Sequence, residues 1–296
     1  MRIPPSLEWW ARVPGGREWL ASLPSIVESC AERWSLRVGE PFEGGNVSLV
    51  LAVERADGTR AVLKVNHPEA ESEHEPDALE LWDGHGAVRL LEYDESARAL
   101  LLERCEPGTP LWSLEDDEEA TLVAAGVLRR IWHAPPASNR FRLLAHEAAR
   151  WARELPAEWE SLGRPFERAL LEEAIAACRE LGTDQGSRVV LHQDFHGGNV
   201  LRATREPWLV IDPKPLVGER EFDAASLLRD RRWLLGGGGE DAARLRRRLD
   251  VLADELGLDR ERMRRWGIAH ALAWGVGSSK VEADMVECAR LLAGAS

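Results

Sequence analysis

His192-Gln193-Asp194-Phe195-His196-Gly197-Gly198-Asn199, followed by Val200-Leu201 and then Ile211-Asp212-Pro213, is the stretch of this 296-residue chain that decides its fold. Val200 to Ala203 and Trp208 to Ile211 are short apolar runs on either side of Thr204-Arg205-Glu206-Pro207, the pattern of an antiparallel hairpin. Antiparallel pairing sets the start of the first strand beside the end of the second, so Asn199 and Asp212 become neighbours. An amide oxygen next to a carboxylate suits a magnesium ion, which takes hard oxygen ligands and keeps part of its shell for phosphates and water. Asp194, in a loop that must curl to meet the hairpin, is then placed to accept the proton of a hydroxyl attacking a γ-phosphate. These residue types at this spacing read together as a phosphoryl-transfer site. His192 is expected to hold the loop backbone rather than move protons, and His196 can serve either role.

Composition narrows the setting. At 44% hydrophobic and 30% charged the chain is a soluble globular protein. It has no apolar run near the roughly 20 residues of a membrane span, and its N-terminus, with Glu8 and Glu18, does not read as a secretory signal. Cys30, Cys105, Cys178 and Cys288 are far apart and lack metal-type spacing, which suggests buried thiols in a reducing cytoplasm. A formal net charge of −13 argues against nucleic acid and anionic membranes as partners, and it is compatible with a cationic substrate. Of 38 lysines and arginines only Lys64, Lys214 and Lys280 are lysines, so each retained lysine asks for a chemical reason.

Residues 1 to about 35 are rich in tryptophan and helical in pattern, with Trp9, Trp10, Trp19 and Trp34 expected to pack into the core or along a flank. From Phe42 onward the pattern turns to strands: Val47 to Val53, a turn at Ala56-Asp57-Gly58-Thr59, then Arg60 to Val65. In the second of these Ala61, Leu63 and Val65 share one face and Val62 and Lys64 the other. A lysine on so apolar a strand needs an anionic partner. Glu69 to Trp82 reads as a helix whose Glu71, Glu75 and Glu80 are candidates for that partner. Gly44-Gly45 lies in a small turn where backbone can approach phosphates. Val88 to Leu91 and Ala99 to Glu103 complete an antiparallel sheet of about five strands. Arg104-Cys105-Glu106-Pro107-Gly108 breaks the pattern as a linker would, and backbone groups around Glu103 and Cys105 are candidates for holding adenine. Beyond it helices are expected over roughly 114 to 133, 141 to 155, 165 to 182, 221 to 235, 240 to 257, 259 to 277 and 281 to 293, with Gly236 to Gly239 as a connector.

Base, amide and second aspartate match the kinase order H-x-D-x-x-x-x-N followed by a metal-binding aspartate. With the strand lysine, helix glutamate and linker ahead of them, they predict an α+β, protein-kinase-like two-lobed fold. The small N-terminal lobe would cover residues 1–104 and a helical C-terminal lobe residues 105–296. In detail the chain resembles the aminoglycoside phosphotransferase superfamily, above all its aminoglycoside 6-phosphotransferase and hydroxyurea kinase group. The residues behind this are EHEPDALELWDGHGAVRLLEYDE at 73 to 95, LLLERCEPGTPL at 100 to 111 and VLHQDFHGGNVLRATREPWLVIDPKPLVGEREFDAASLLRD at 190 to 230. The resemblance implies Asp194 as catalytic base, Asn199 and Asp212 as magnesium ligands, and Lys64 on the α- and β-phosphates of ATP with Glu75 as its partner. It further implies Asp223 as a buried brace of the catalytic loop, with His192. Gln193 stands where such enzymes commonly have glycine, and Gly197-Gly198 replaces bulkier residues of streptomycin kinases; both departures bear on the acceptor rather than the chemistry.

In such a fold the acceptor must lie between the catalytic loop and the C-terminal helices. Candidate walls are Glu219, Asp230, Trp266, His270, Trp274, Glu282 and Asp284, whose carboxylates and aromatic faces would attract guanidinium or ammonium groups. The expected activity is ATP- and magnesium-dependent phosphorylation of a small polar hydroxyl acceptor, foremost a cationic aminoglycoside such as streptomycin. The alternatives are a metabolic kinase of a sugar, amino sugar or amino alcohol, and a nucleotide-binding pseudokinase.

Overall fold

In the computed structural model, which describes residues 3–42, 47–231, 239–277 and 280–295, the chain divides into two units, Met1–Gly108 and Thr109–Ser296. After a 3-10 helix at Pro5–Arg12, the first unit runs α1 (Gly16–Trp34), β1 (Leu36–Pro41), β2 (Ser48–Arg55), β3 (Arg60–Asn66), α2 (Glu75–Trp82), β4 (Leu90–Asp94) and β5 (Ala99–Glu103). These strands form one antiparallel sheet in the order β1-β2-β3-β5-β4. The alternation in β3 has the consequence its period of two requires. Ala61, Leu63 and Val65 join Leu49, Leu51 and Val53 of β2 in an apolar layer with Leu7, Trp10, Trp19, Leu23 and Val27. Each large apolar side chain buried there contributes roughly 1.5–3 kcal/mol. A one-residue slip of β3 would drive Lys64 into that layer, so the register is strongly specified.

Three expectations for this unit change. Helix was expected up to about residue 35 with strands from Phe42, yet Leu36–Pro41 is an edge strand; most of its side chains are exposed, so no alternation marks it. The helix expected from Glu69 begins at Glu75. Pro76 lacks an N–H and is tolerated only in a first turn, which sets that start. Cys105 is only half-buried, unlike Cys30, Cys178 and Cys288.

The second unit opens with a 3-10 turn at Leu111–Ser113 and continues through α3 (Asp117–Ile131), β6 (Arg142–Leu143), α4 (Leu144–Ser161), α5 (Arg168–Thr183), β7 (Arg188–Leu191), β8 (Val200–Arg202), β9 (Trp208–Val210), β10 (Leu216–Glu219), α6 (Arg220–Ser226), α7 (Gly239–Leu256), α8 (Arg260–Gly275), β11 (Val276–Gly277), β12 (Lys280–Val281) and α9 (Ala283–Ala293). At the start of α3 the Asp116 side chain caps the helix by accepting from the N–H groups of Glu118 and Glu119. The β8-β9 hairpin forms with Val200 opposite Val210. A short sheet of order β6-β10-β7, not anticipated from the sequence, sets the entry of the catalytic stretch. The helix expected over 221 to 235 stops at Ser226 and tightens into a 3-10 turn at Leu227–Arg229. Arg248 of α7 donates to the carbonyls of Leu227 and Asp230, which satisfies groups that a continued helix would have used. Of the glycine connector, Gly236 to Gly238 lie outside the described residues, and Gly239 opens α7.

Candidate active site

The segment from His192 to Asn199 is a loop in shape, but its backbone is tied down from below. Asp223 of α6, fully buried, accepts the N–H of His192 at 2.9 Å and that of Gln193 at 2.8 Å, and the indole N–H of Trp132 at 3.1 Å. Burial pushes the Asp223 carboxyl above the usual carboxylate range, offset by His192 and these N–H donors. His192 donates from Nε2 to the Ile211 carbonyl, and its own carbonyl accepts from Lys214 N–H, so the loop is stitched to the segment after β9. Burial holds His192 below the ordinary histidine pKa, in keeping with a neutral structural role.

Asp194 emerges from this frame almost wholly buried. Its Oδ1 accepts from Arg229 Nη2 at 2.8 Å, and His196 Nε2 lies 3.7 Å from the same oxygen. Lys214 Nζ stands 3.8 Å from Oδ2. Burial alone would raise the Asp194 pKa, but Arg229, His196 and Lys214 together hold it far below the ordinary range, so the group stays ionised at any physiological pH. Asn199 donates from Nδ2 to the Asp194 carbonyl at 3.0 Å, which commits its nitrogen and leaves the amide oxygen as the atom suited to a metal. Ile211 N–H bonds to the Asn199 carbonyl, bringing Asp212 beside Asn199 as the hairpin argument required. Asp212 takes a left-handed backbone with φ of 59°, a conformation that costs energy for a residue other than glycine and recurs at functional sites.

In the first unit Lys64 Nζ lies 2.7 Å from both carboxylate oxygens of Glu75, so of the three helix glutamates it is Glu75 that meets the strand lysine. Asn66 donates to Glu75 Oε2 at 2.7 Å and receives Ser48 Oγ at its own carbonyl oxygen. The whole chain of groups is buried. Glu103 ends β5 with its N–H on the Arg89 carbonyl, and Cys105 follows two residues on. Gly44 and Gly45 lie outside the described residues.

With this geometry in view, a family model described as aminoglycoside/hydroxyurea antibiotic resistance kinase matches residues 33–284. The chain belongs to this family. It is 44% identical over 258 residues to streptomycin 6-kinase of Streptomyces griseus, covering 87% of this chain and 83% of the relative. It is 42% identical over 259 residues to hydroxyurea phosphotransferase of Kitasatospora aureofaciens, covering 87% and 73%. Among solved structures, a thermostable mutant of aminoglycoside phosphotransferase APH(4)-Ia in ternary complex with ADP and hygromycin B superposes with a TM-score of 0.62 at 15% identity, over 90% of this chain and 97% of that one. Choline kinase LicA from Streptococcus pneumoniae does so with a TM-score of 0.62 at 12% identity, over 92% and 98%. The protein-kinase-like α+β fold and the kinase class are thereby established.

The kinase places its expected acceptor walls unevenly. Glu219, Trp266 and His270 are fully buried. Trp266 Nε1 and Arg262 both donate to Glu219, so this trio is a satisfied interior network rather than a surface for a ligand. His270 Nδ1 accepts from Arg229 Nε at 3.1 Å, which leaves its Nε2 to face the Gln193 carbonyl at 3.3 Å. Burial and the neighbouring Arg229 hold His270 well below the ordinary histidine pKa, so it is a neutral prop for that arginine. The Trp274 ring stacks on His270 and already carries Arg229 at 4.7 Å and Lys214 at 4.8 Å, the kinase's own cations. Asp230, Glu282 and Asp284 remain partly exposed; Lys280 donates to Glu282, and Asp284 accepts the N–H of Met285. Gln193, expected beside the acceptor, is fully buried with φ of 67°, the left-handed region where glycine is at ease. Its Oε1 accepts from Arg142 at 2.9 Å, a bond glycine cannot make.

Two residues escaped the sequence reading. Arg229 clamps Asp194 across 35 positions, and Trp112 covers the catalytic loop from the 3-10 turn at Leu111–Ser113. No local pattern marks either: Arg229 sits beside Asp230 at the end of the 190 to 230 stretch as one arginine among many.

Proposed function

We propose that this kinase transfers the γ-phosphoryl group of magnesium-bound ATP to a hydroxyl of an aminoglycoside, with streptomycin as the acceptor to try first. The observation that carries this is Asp194: buried, ionised, clamped at Oδ1 by Arg229, and sharing a loop with Asn199, which Ile211 N–H ties to the segment of Asp212 at the open end of the β8-β9 hairpin. The donor set suits magnesium, since the Asn199 amide oxygen and the Asp212 carboxylate are hard oxygen ligands and two of them leave positions for phosphates and water. Bound metal and nucleotide would supply the phosphoryl group and offset its negative charge. Lys64, fixed by Glu75, would hold α- and β-phosphate oxygens.

With Oδ1 engaged by Arg229, Oδ2 of Asp194 is left for the acceptor hydroxyl. Asp194 orients that hydroxyl while its oxygen bonds to phosphorus and the bridging oxygen leaves with ADP. The hydroxyl proton passes to Oδ2 as the new bond forms. A carboxylate held so far below its usual pKa is a weak base, which suits the loose transition state of phosphoryl transfer, where positioning matters more than proton abstraction. The names of the relatives support streptomycin and hydroxyurea as the acceptors to compare. ADP release by the full chain should rise on adding streptomycin, and Asp212→Ala should depress turnover and metal-dependent ATP binding together. A chain that phosphorylates neutral sugars and no aminoglycoside would instead be a metabolic kinase.

A further inference from the structure

Trp112 is among the few large apolar side chains left exposed, at 38%, and it lies against the catalytic loop. Its position is fixed rather than loose. The indole stacks on His196 with ring centroids 5.1 Å apart and planes 11° from parallel. Its Nε1 donates to Asp230 Oδ1, and Asp230 Oδ2 accepts the N–H of Gly197 at 2.8 Å. Trp112 N–H in turn bonds to the Gly197 carbonyl. The glycine pair is the counterpart of this seat. A Cβ on Gly197 would stand 2.6 Å from Trp112 Cδ1, and one on Gly198 would stand 2.6 Å from Cη2 and 2.7 Å from Cζ3. Neither glycine has a positive φ, so what requires glycine here is space, taken first by the indole and next by Asp230 Oδ2 at 3.0 Å from the Gly197 Cβ and His196 Cε1 at 2.9 Å from the Gly198 Cβ.

The stack continues inward, because His196 Nε2 is 3.7 Å from the Asp194 oxygen. The His196–Trp112 stack thus runs from the catalytic carboxylate to an exposed ring, a path along which an acceptor larger than a single ring can lie with its hydroxyl on Asp194. An electron-rich indole whose N–H is drawn to a carboxylate favours a cation over its ring. Of the two tryptophans that the sequence suggested for this purpose, Trp266 is fully buried and Trp274 holds Lys214 and Arg229. We propose that Trp112 is a specificity-determining residue: its indole is the shelf for a cationic ring of the acceptor, and Gly197-Gly198 are glycines so that the shelf can seat. This rests on the aminoglycoside reading above.

Steady-state kinetics of the full chain with streptomycin and ATP test it. Trp112→Ala should raise the streptomycin KM about tenfold, the order expected for losing a cation–π contact, while the ATP KM stays within about threefold of wild type. Trp112→Phe keeps an aromatic face but loses the N–H to Asp230 and the stronger indole field, and it should fall between wild type and Trp112→Ala. Gly198→Ala, whose Cβ would press on the indole and on His196 Cε1, should reproduce the rise in streptomycin KM with the ATP KM again within about threefold of wild type. An unchanged streptomycin KM in Trp112→Ala or Gly198→Ala overturns the proposal. So does a Trp112→Phe variant as impaired as Trp112→Ala, because the contact with Asp230 would then be what matters. A wild-type chain that releases ADP with other acceptors and never with streptomycin would sink the aminoglycoside reading itself, and the cationic shelf with it.

Discussion

Lys64 and Glu75 in the first unit form a pair that is neutral as a whole, braced by Asn66, whereas Asp194 in the second is one carboxylate facing Arg229, Lys214 and His196. Both are buried, yet they respond to perturbation differently. A neutral buried pair is a fixed post, and removing one partner strands a charge in a dry place. An over-compensated carboxylate keeps its charge by a surplus, so removing one cation alters its ionisation before it alters the fold.

The largest expected effect is on chemistry. Asp194→Asn keeps the shape of the side chain and should keep the fold, while turnover measured by ADP release falls about 100- to 10,000-fold. Activity near that of wild type would mean that this carboxylate is not where the hydroxyl is held.

Next comes the neutral pair. Lys64→Ala should destabilise the chain by about 3–5 kcal/mol in denaturant titrations, as expected when a buried pair loses one member. Adding Glu75→Gln should recover part of that loss, a coupling that a double-mutant cycle reads directly. Lys280→Ala is the control: this lysine is exposed and pairs with a partly exposed Glu282, so a change of about 0.5 kcal/mol or less is expected. Equal losses from the two lysines would erase the contrast drawn here.

The smallest effect, and the sharpest test of the surplus, is a shift in pH. The Asp194 pKa is lowered in the folded chain, so its ionised form stabilises the fold above the ordinary carboxylate value, about 4. That contribution is lost as the pH falls through the lowered value. Wild-type turnover should therefore show no acid limb from Asp194 above about pH 4. Arg229→Ala leaves burial opposed only by His196 and Lys214, so the acid limb should move to higher pH, and Arg229→Lys should move it less. A pH profile identical to wild type would show that Arg229 does not govern Asp194.

Much of this was legible in the chain because the responsible patterns are local. β3 follows from period-two alternation, β5 from a short continuous apolar run, the hairpin of β8 and β9 from two apolar runs around a turn, and Lys64 is conspicuous because lysine is scarce. β1 has almost no buried face to mark it, and the start of α2 was misjudged because Glu69 to His74 share its polar composition. Arg229 and Trp112 act on Asp194 and Gly197-Gly198 from distant positions, and one arginine among so many carries no signal. Trp266 and His270 looked like pocket walls because polar and aromatic residues on a late helix do not announce which side faces inward, and Glu219 because the strand β10 that it ends leaves no alternation in the sequence. Burial decides that, and only the packing of α8 supplies it.

The anchoring of His192 and Gln193 to Asp223 has a consequence in time. Connecting segments usually open by themselves, long before the elements they join. Here an opening would strand the Asp223 carboxylate and take the Gln193 side chain off Arg142, so the loop has no inexpensive way to fray. Its amide protons should then exchange with solvent deuterium on the clock of whole-unit unfolding rather than of a surface turn. The part of the molecule nearest the reacting atoms would be among the slowest to breathe.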